Sequence, residues 1–113
     1  MTPRIAFALI AACAACSGDA TGGSVEGPEL FAKLCSACHG PDGKPPAAME
    51  LRLGVRDLTA PELRARITPA LVEQQLRRGS DNKLMPSFVG LVSDAQLKAL
   101  AAYVASPAFL GRP

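Results

Sequence analysis

A chain of 113 residues with 12 basic and 10 acidic side chains is one small domain at most. Its near-balanced charge gives no support to nucleic-acid binding, which calls for a strongly basic face. Only 4% of residues are aromatic and none is tryptophan, so a core built from this chain lacks large side chains. A domain this small then needs a staple, a metal or a cofactor.

Residues 1–15 read as an export signal. Arg4 is the charged lead, Ile5 to Ala12 is an unbroken apolar run, and small residues follow. The run is too short to span a bilayer as a helix. Ile10-Ala11-Ala12-Cys13 and Cys13-Ala14-Ala15-Cys16 both have the form of a lipoprotein cleavage box, in which the cysteine becomes the lipidated first residue. Cys16 leaves a signal of more ordinary length and is preferred. Cys13 matches the aliphatic position of the box better and stands as the alternative, while an ordinary signal cleaved nearby would discard both. The expected compartment is the periplasm, with a lipid anchor in a membrane. Residues 16–26, rich in Gly, Ser and Thr, suit a flexible linker between anchor and domain.

Pro28 opens a helix with Glu29 in its first turn, where a carboxylate complements the dipole. Gly27, Phe31, Leu34 and Cys38 recur at intervals of four, three and four and share one face. Gly40-Pro41 ends the helix. Inside it lies Cys35-Ser36-Ala37-Cys38-His39, two thiols one helical turn apart with a histidine directly after. That is the covalent c-type haem attachment pattern. The two sulfurs reach the two vinyl groups of a porphyrin edge, and the adjacent imidazole is aimed at the iron from the proximal side. His39 is the only histidine in the chain, so it is the only imidazole a metal can take. Cys35 and Cys38 are therefore read as the thioether-forming residues of one haem c. Export agrees, since haem is attached to such motifs outside the bacterial cytoplasm.

Rival readings of the cysteines are weaker. Cys13, Cys16, Cys35 and Cys38 form two C-x-x-C pairs at a zinc-like spacing, but the first pair sits in the apolar export run. Thiol–disulfide chemistry or a structural disulfide leaves His39 unexplained.

Residues 44–59 have weak periodicity and read as a wrapping loop with room for one helical turn. Thr59 and Glu62 are spaced as a capping box for a short helix over 59–66. Thr68-Pro69 is a second start signal. Leu71, Val72, Gln75 and Leu76 then make a narrow inner face, and Arg77-Arg78-Gly79 ends that helix. Residues 80–91 form a loop containing Met85-Pro86. Ser93 with Gln96 is a third box, leading into Leu97, Leu100, Ala101 and Val104 on one face. This last helix ends near Ser106-Pro107, and 108–113 reads as a tail. The inventory is all-α, without strand alternation or repeats.

The second iron ligand is sought among Met1, Met49 and Met85, the only methionines. Met1 leaves with the signal, and Met49 follows His39 too closely to reach the opposite face of a ring. Met85 lies between two helices, and Pro86 holds its backbone extended, which can present a thioether to the distal side. A thioether favours reduced iron and raises the potential.

Taken together, the chain resembles a class I cytochrome c over about Val25 to Ser106. The resemblance rests on Gly27 and Phe31, on Cys35-x-x-Cys38-His39, on Leu84-Met85-Pro86-Ser87-Phe88, and on a last helix carrying Tyr103. It implies a cytochrome c fold: three to five short helices, over residues 27–107, wrapped around one covalently attached haem. The first and last helices would cross closely at Gly27, with Tyr103 and Leu100 against it. Cys35 and Cys38 would form the thioethers, His39 the proximal and Met85 the distal bond. In the family a proline carbonyl after the motif accepts the histidine Nδ1–H; Pro45 and Pro46 compete for that role here, and Pro46 is better placed. Arg52, Arg56 and Lys83 are candidates for the haem propionates, although each reads first as a solvated charge.

The function so implied is one-electron transfer by a monomer that is not an enzyme. Its partners would be redox proteins: a membrane respiratory complex, or a periplasmic dehydrogenase or oxidase. Two alternatives stand beside the free carrier. One is a dedicated subunit of such a complex. The other is a sensor or peroxidase-like protein, which would need Met85 off the iron.

Overall fold

The start of the last helix carries the least ambiguous signals in the chain. In the computed structural model, which describes residues 21–111, Ser93 Oγ accepts the Gln96 N–H at 3.1 Å and Gln96 Oε1 accepts the Ser93 N–H at 2.9 Å. This reciprocal box starts a helix over Asp94–Ala105. Leu97, Leu100, Ala101 and Val104 are all buried on one side of it, the face that their spacing predicts. The export signal, Cys13 and Cys16 lie outside the described residues.

The chain order is α1 (Gly27–Leu34), α2 (Ser36–His39), α3 (Ala47–Leu53), α4 (Pro61–Arg64), α5 (Pro69–Arg78), α6 (Asp94–Ala105) and a 3-10 turn (Pro107–Phe109). Among the described residues there is no strand, and no helix is long and apolar enough to cross a membrane. Helix α1 crosses α6 with Leu30 and Phe31 fully buried between them. The approach is close because residue 27 has no side chain: a Cβ there would lie 2.3 Å from Tyr103 Cβ. Helix α5 packs on another side of α6 through Leu76, and Arg77 pairs with Glu73 on its own helix and with Asp94 across that junction.

The six α-helices exceed the expected three to five, for two local reasons. The helix carrying the attachment motif breaks at Cys35, whose φ of −120° and ψ of −33° leave the helical region. There the Ser36 hydroxyl donates to the Ala32 carbonyl at 2.5 Å, competing with the backbone ladder at that step. Consequently Gly27, Phe31, Leu34 and Cys38 do not share one buried face. Leu30 joins Phe31 in the core, Leu34 is half-buried and Cys38 is exposed. The second reason is α3, two turns long where one turn was expected, closed by Gly54 in the left-handed region.

Three further expectations are corrected. Thr59 does not cap α4: its N–H and hydroxyl both go to Asp57 Oδ1, at 2.8 and 2.6 Å, and Ala60 stands at the cap position. On α5, Thr68 does cap, accepting the Leu71 N–H at 3.2 Å, but Leu71 and Gln75 face solvent, leaving Val72 and Leu76 on the inner side. The segment after 107 is not a tail throughout. Phe109 is 1% exposed and meets Phe31 and Tyr103 edge-on, with centroids 5.0 and 5.5 Å away. The domain therefore takes in the 3-10 turn.

Candidate haem-binding site

Cys35 and Cys38 stand at either end of the first turn of α2, not joined to one another by a disulfide. Cys35 leans on the core cluster and Cys38 is open to solvent. Burial, reinforced by the neighbouring Cys38, pushes the Cys35 thiol up to about 12. Such a thiol stays protonated, the reverse of the depressed value that a thiolate-exchange site needs. No three His, Cys, Asp or Glu side chains cluster among the described residues.

His39 closes α2, half-buried. Its Nδ1 lies 3.0 Å from the Arg56 carbonyl oxygen. A carbonyl only accepts, so Nδ1 carries the proton and the Nε2 lone pair is left for a metal. Burial lowers the ring's affinity for a second proton, which further preserves that lone pair. This corrects the expectation for Pro46. The Pro46 carbonyl starts α3 instead, accepting from the Met49 and Glu50 N–H groups at 2.9 and 3.3 Å. The loop after α3 brings residue 56 back to α2 and supplies the acceptor from there.

Met85 is half-buried and packs against the same core cluster that Cys35 touches. Its backbone is held by Ser80, whose N–H donates to the Met85 carbonyl at 2.9 Å. The Ser80 hydroxyl in turn accepts the Met85 N–H at 3.0 Å. Gly79, with φ of +72°, lies directly behind: a Cβ there would come within 2.7 Å of the Met85 carbonyl oxygen and 2.8 Å of Ser87 N. Two more bonds fasten the loop to the end of α5, Ser87 Oγ to the Arg77 carbonyl at 2.6 Å and Phe88 N–H to the Leu76 carbonyl at 2.8 Å. The sequence pattern singles out Met85 but not Ser80 and Gly79, which meet its backbone and not its side chain. The Gly79 signal was present as a helix stop.

The donor set fits a covalently held haem. It offers two thiols one turn apart, an imidazole with its outer nitrogen engaged, and a thioether on a fixed loop. Leu51 on α3 and Leu84 beside Met85 are 87% and 57% exposed, apolar surface suited to an apolar ring. Arg52, Arg56 and Lys83 are all exposed.

Comparison with known proteins agrees. Residues 24–104 match the family model described as cytochrome C oxidase, cbb3-type, subunit III. The solved KustC0563 c-type cytochrome is similar at 29% identity over 71% of this chain and 94% of that one, with a TM-score of 0.62. The chain belongs to this family of small c-type cytochromes, with the cytochrome c fold, and its cofactor is one covalently attached haem c.

Proposed function

We propose that this cytochrome is a one-electron carrier whose haem iron is held between His39 and Met85. Haem supplies the ferric/ferrous couple, and no bond in the protein has to be made or broken for it to turn over. The chain's own residues do the rest. Cys35 and Cys38 anchor the ring, and the Arg56 carbonyl orients His39. The packed Met85 loop offers a soft ligand of high potential.

The observation that carries the reading is the fixed backbone of Met85, bonded at both its N–H and its carbonyl to Ser80. A thioether on so constrained a loop is better placed to remain bound than to open a site for a substrate. That disfavours the sensor and peroxidase-like alternatives. The partners would be weakly and briefly bound redox proteins, a membrane respiratory complex or a periplasmic dehydrogenase or oxidase. The family model is described as an oxidase subunit, which keeps the dedicated-subunit reading beside the free carrier. Residues 1–15 would direct export, and a lipid on Cys16 (or Cys13) would hold the domain at a membrane in the periplasm.

The test is the visible spectrum of periplasmically produced protein. The ferric form should show a weak far-red band of thioether–iron ligation, and Met85→Ala should abolish it. A band that survives the substitution would remove Met85 from the iron.

A further inference from the structure

We infer that Ser80 is the positioning residue of the distal side: its hydroxyl sets how readily Met85 leaves the iron. The inference rests on Met85 being the distal ligand. Its starting point is that one residue satisfies both backbone groups of Met85. The Ser80 N–H donates to the Met85 carbonyl at 2.9 Å, and the Ser80 hydroxyl oxygen accepts the Met85 N–H at 3.0 Å. The hydroxyl proton is committed elsewhere. Asn82 Oδ1 lies 2.6 Å from Ser80 Oγ and accepts it, turning an oxygen lone pair toward Met85. The same Oδ1 accepts the Leu84 N–H at 3.1 Å. Hydroxyl, amide and backbone thus form one short chain that ends on the ligand residue.

The loop between these two residues is under strain. Lys83 has φ of +64°, the one non-glycine residue with positive φ among the described residues. Side chains rarely adopt this region without local compensation. The turn that holds it is closed by the Lys83 N–H, which donates to the Ser80 carbonyl at 3.1 Å. In this inference Met85 leaves by drawing its backbone outward together with the side chain, which packs against the core. Swinging out breaks the hydroxyl bond. With the hydroxyl gone, opening loses one of its two opposing hydrogen bonds, and the open population rises about five- to tenfold.

Carbon monoxide reads this directly, since it binds ferrous iron only when Met85 is off. Its binding rate would be measured on wild-type holoprotein and on Ser80→Ala, Ser80→Thr, Asn82→Ala and Met85→Ala, together with the ferric far-red band. Ser80→Ala should bind carbon monoxide about five- to tenfold faster, and Ser80→Thr, which keeps the hydroxyl, within about twofold of wild type. Asn82→Ala should fall between them. A wild-type rate in Ser80→Ala overturns the inference. So does a Thr variant as fast as Ala, since packing and not the hydroxyl would then be responsible. If Ser80→Ala does not accumulate as holoprotein, Asn82→Ala decides alone, and an unchanged rate there sinks the idea. Met85→Ala is the control on the reading beneath: it must lose the far-red band and bind carbon monoxide fastest. If it keeps the band, the ligand assignment falls and this inference falls with it.

Discussion

Gln96 ties the segment before α1 to the start of α6 with a single amide. Its Oε1 accepts the Ser93 N–H at the start of α6, while its Nε2 donates to Thr21 Oγ1 at 2.7 Å and to the Ser24 carbonyl at 2.9 Å. At 3% exposure it is a buried polar group whose donors and acceptor are all used. Gln96→Leu keeps the volume and removes every one of those bonds. The holoprotein should lose about 1–3 kcal/mol, read as a lower urea midpoint at unchanged slope; an unmoved midpoint would mean that water replaces the amide. From the sequence this residue is legible only in half, as the second member of a capping box. Its grip on residues 21–24 crosses 75 positions and leaves no local trace. The same holds for His39. The attachment motif singles out this imidazole at once, but every residue carries a carbonyl, and nothing in the local pattern selects Arg56 over Pro46.

Among the elements, the crossing of α1 and α6 is the joint on which the rest is hung. Residue 27 meets Tyr103 backbone-to-ring, and Phe31, Tyr103 and Phe109 fill the angle between the helices edge-on. Gly27→Ala forces the added methyl into Tyr103. Overpacking of this kind costs about 1–3 kcal/mol, and Tyr103→Ala in the same background should recover part of it; strict additivity of the two would show that the helices do not meet there. The joint was legible through the family resemblance carried by Gly27, Phe31 and Tyr103. Helix caps were legible where the side chain has no better offer, as at Thr68 and Ser93. At Thr59 the rule failed because Asp57, two residues back, competes for the same donors. Arg64 shows a cap that no window could reveal. Its guanidinium reaches from α4 to the carbonyls of Val104 and Ser106 at 2.8 and 3.1 Å, closing the end of α6, and rests over the Phe109 ring at 5.3 Å. That contact also explains why Phe109 belongs to the core and not to a tail.

At the scale of the whole molecule the protein core is thin. Ten hydrophobic residues are buried among the described residues, against eight large apolar ones left substantially exposed, with Leu51, Leu84, Val89 and Leu91 all above half exposure. A chain this short buries too small a fraction of its surface to offset its conformational entropy comfortably, and exposed leucines on α3 and on the Met85 loop add nothing until something apolar covers them. In a covalent cytochrome that cover is the cofactor, so the free energy of holding haem is in large part the free energy of folding. The consequence is sharp for the unloaded chain. Cys35→Ala with Cys38→Ala, produced without attachment, should keep some helical signal from α5 and α6 but show no cooperative thermal transition in circular dichroism, whereas the holoprotein melts as one unit. If the double variant unfolds cooperatively, the ten-residue core is sufficient by itself. The haem would then be a passenger in a finished fold, and the exposed leucines would require a covering partner of another kind.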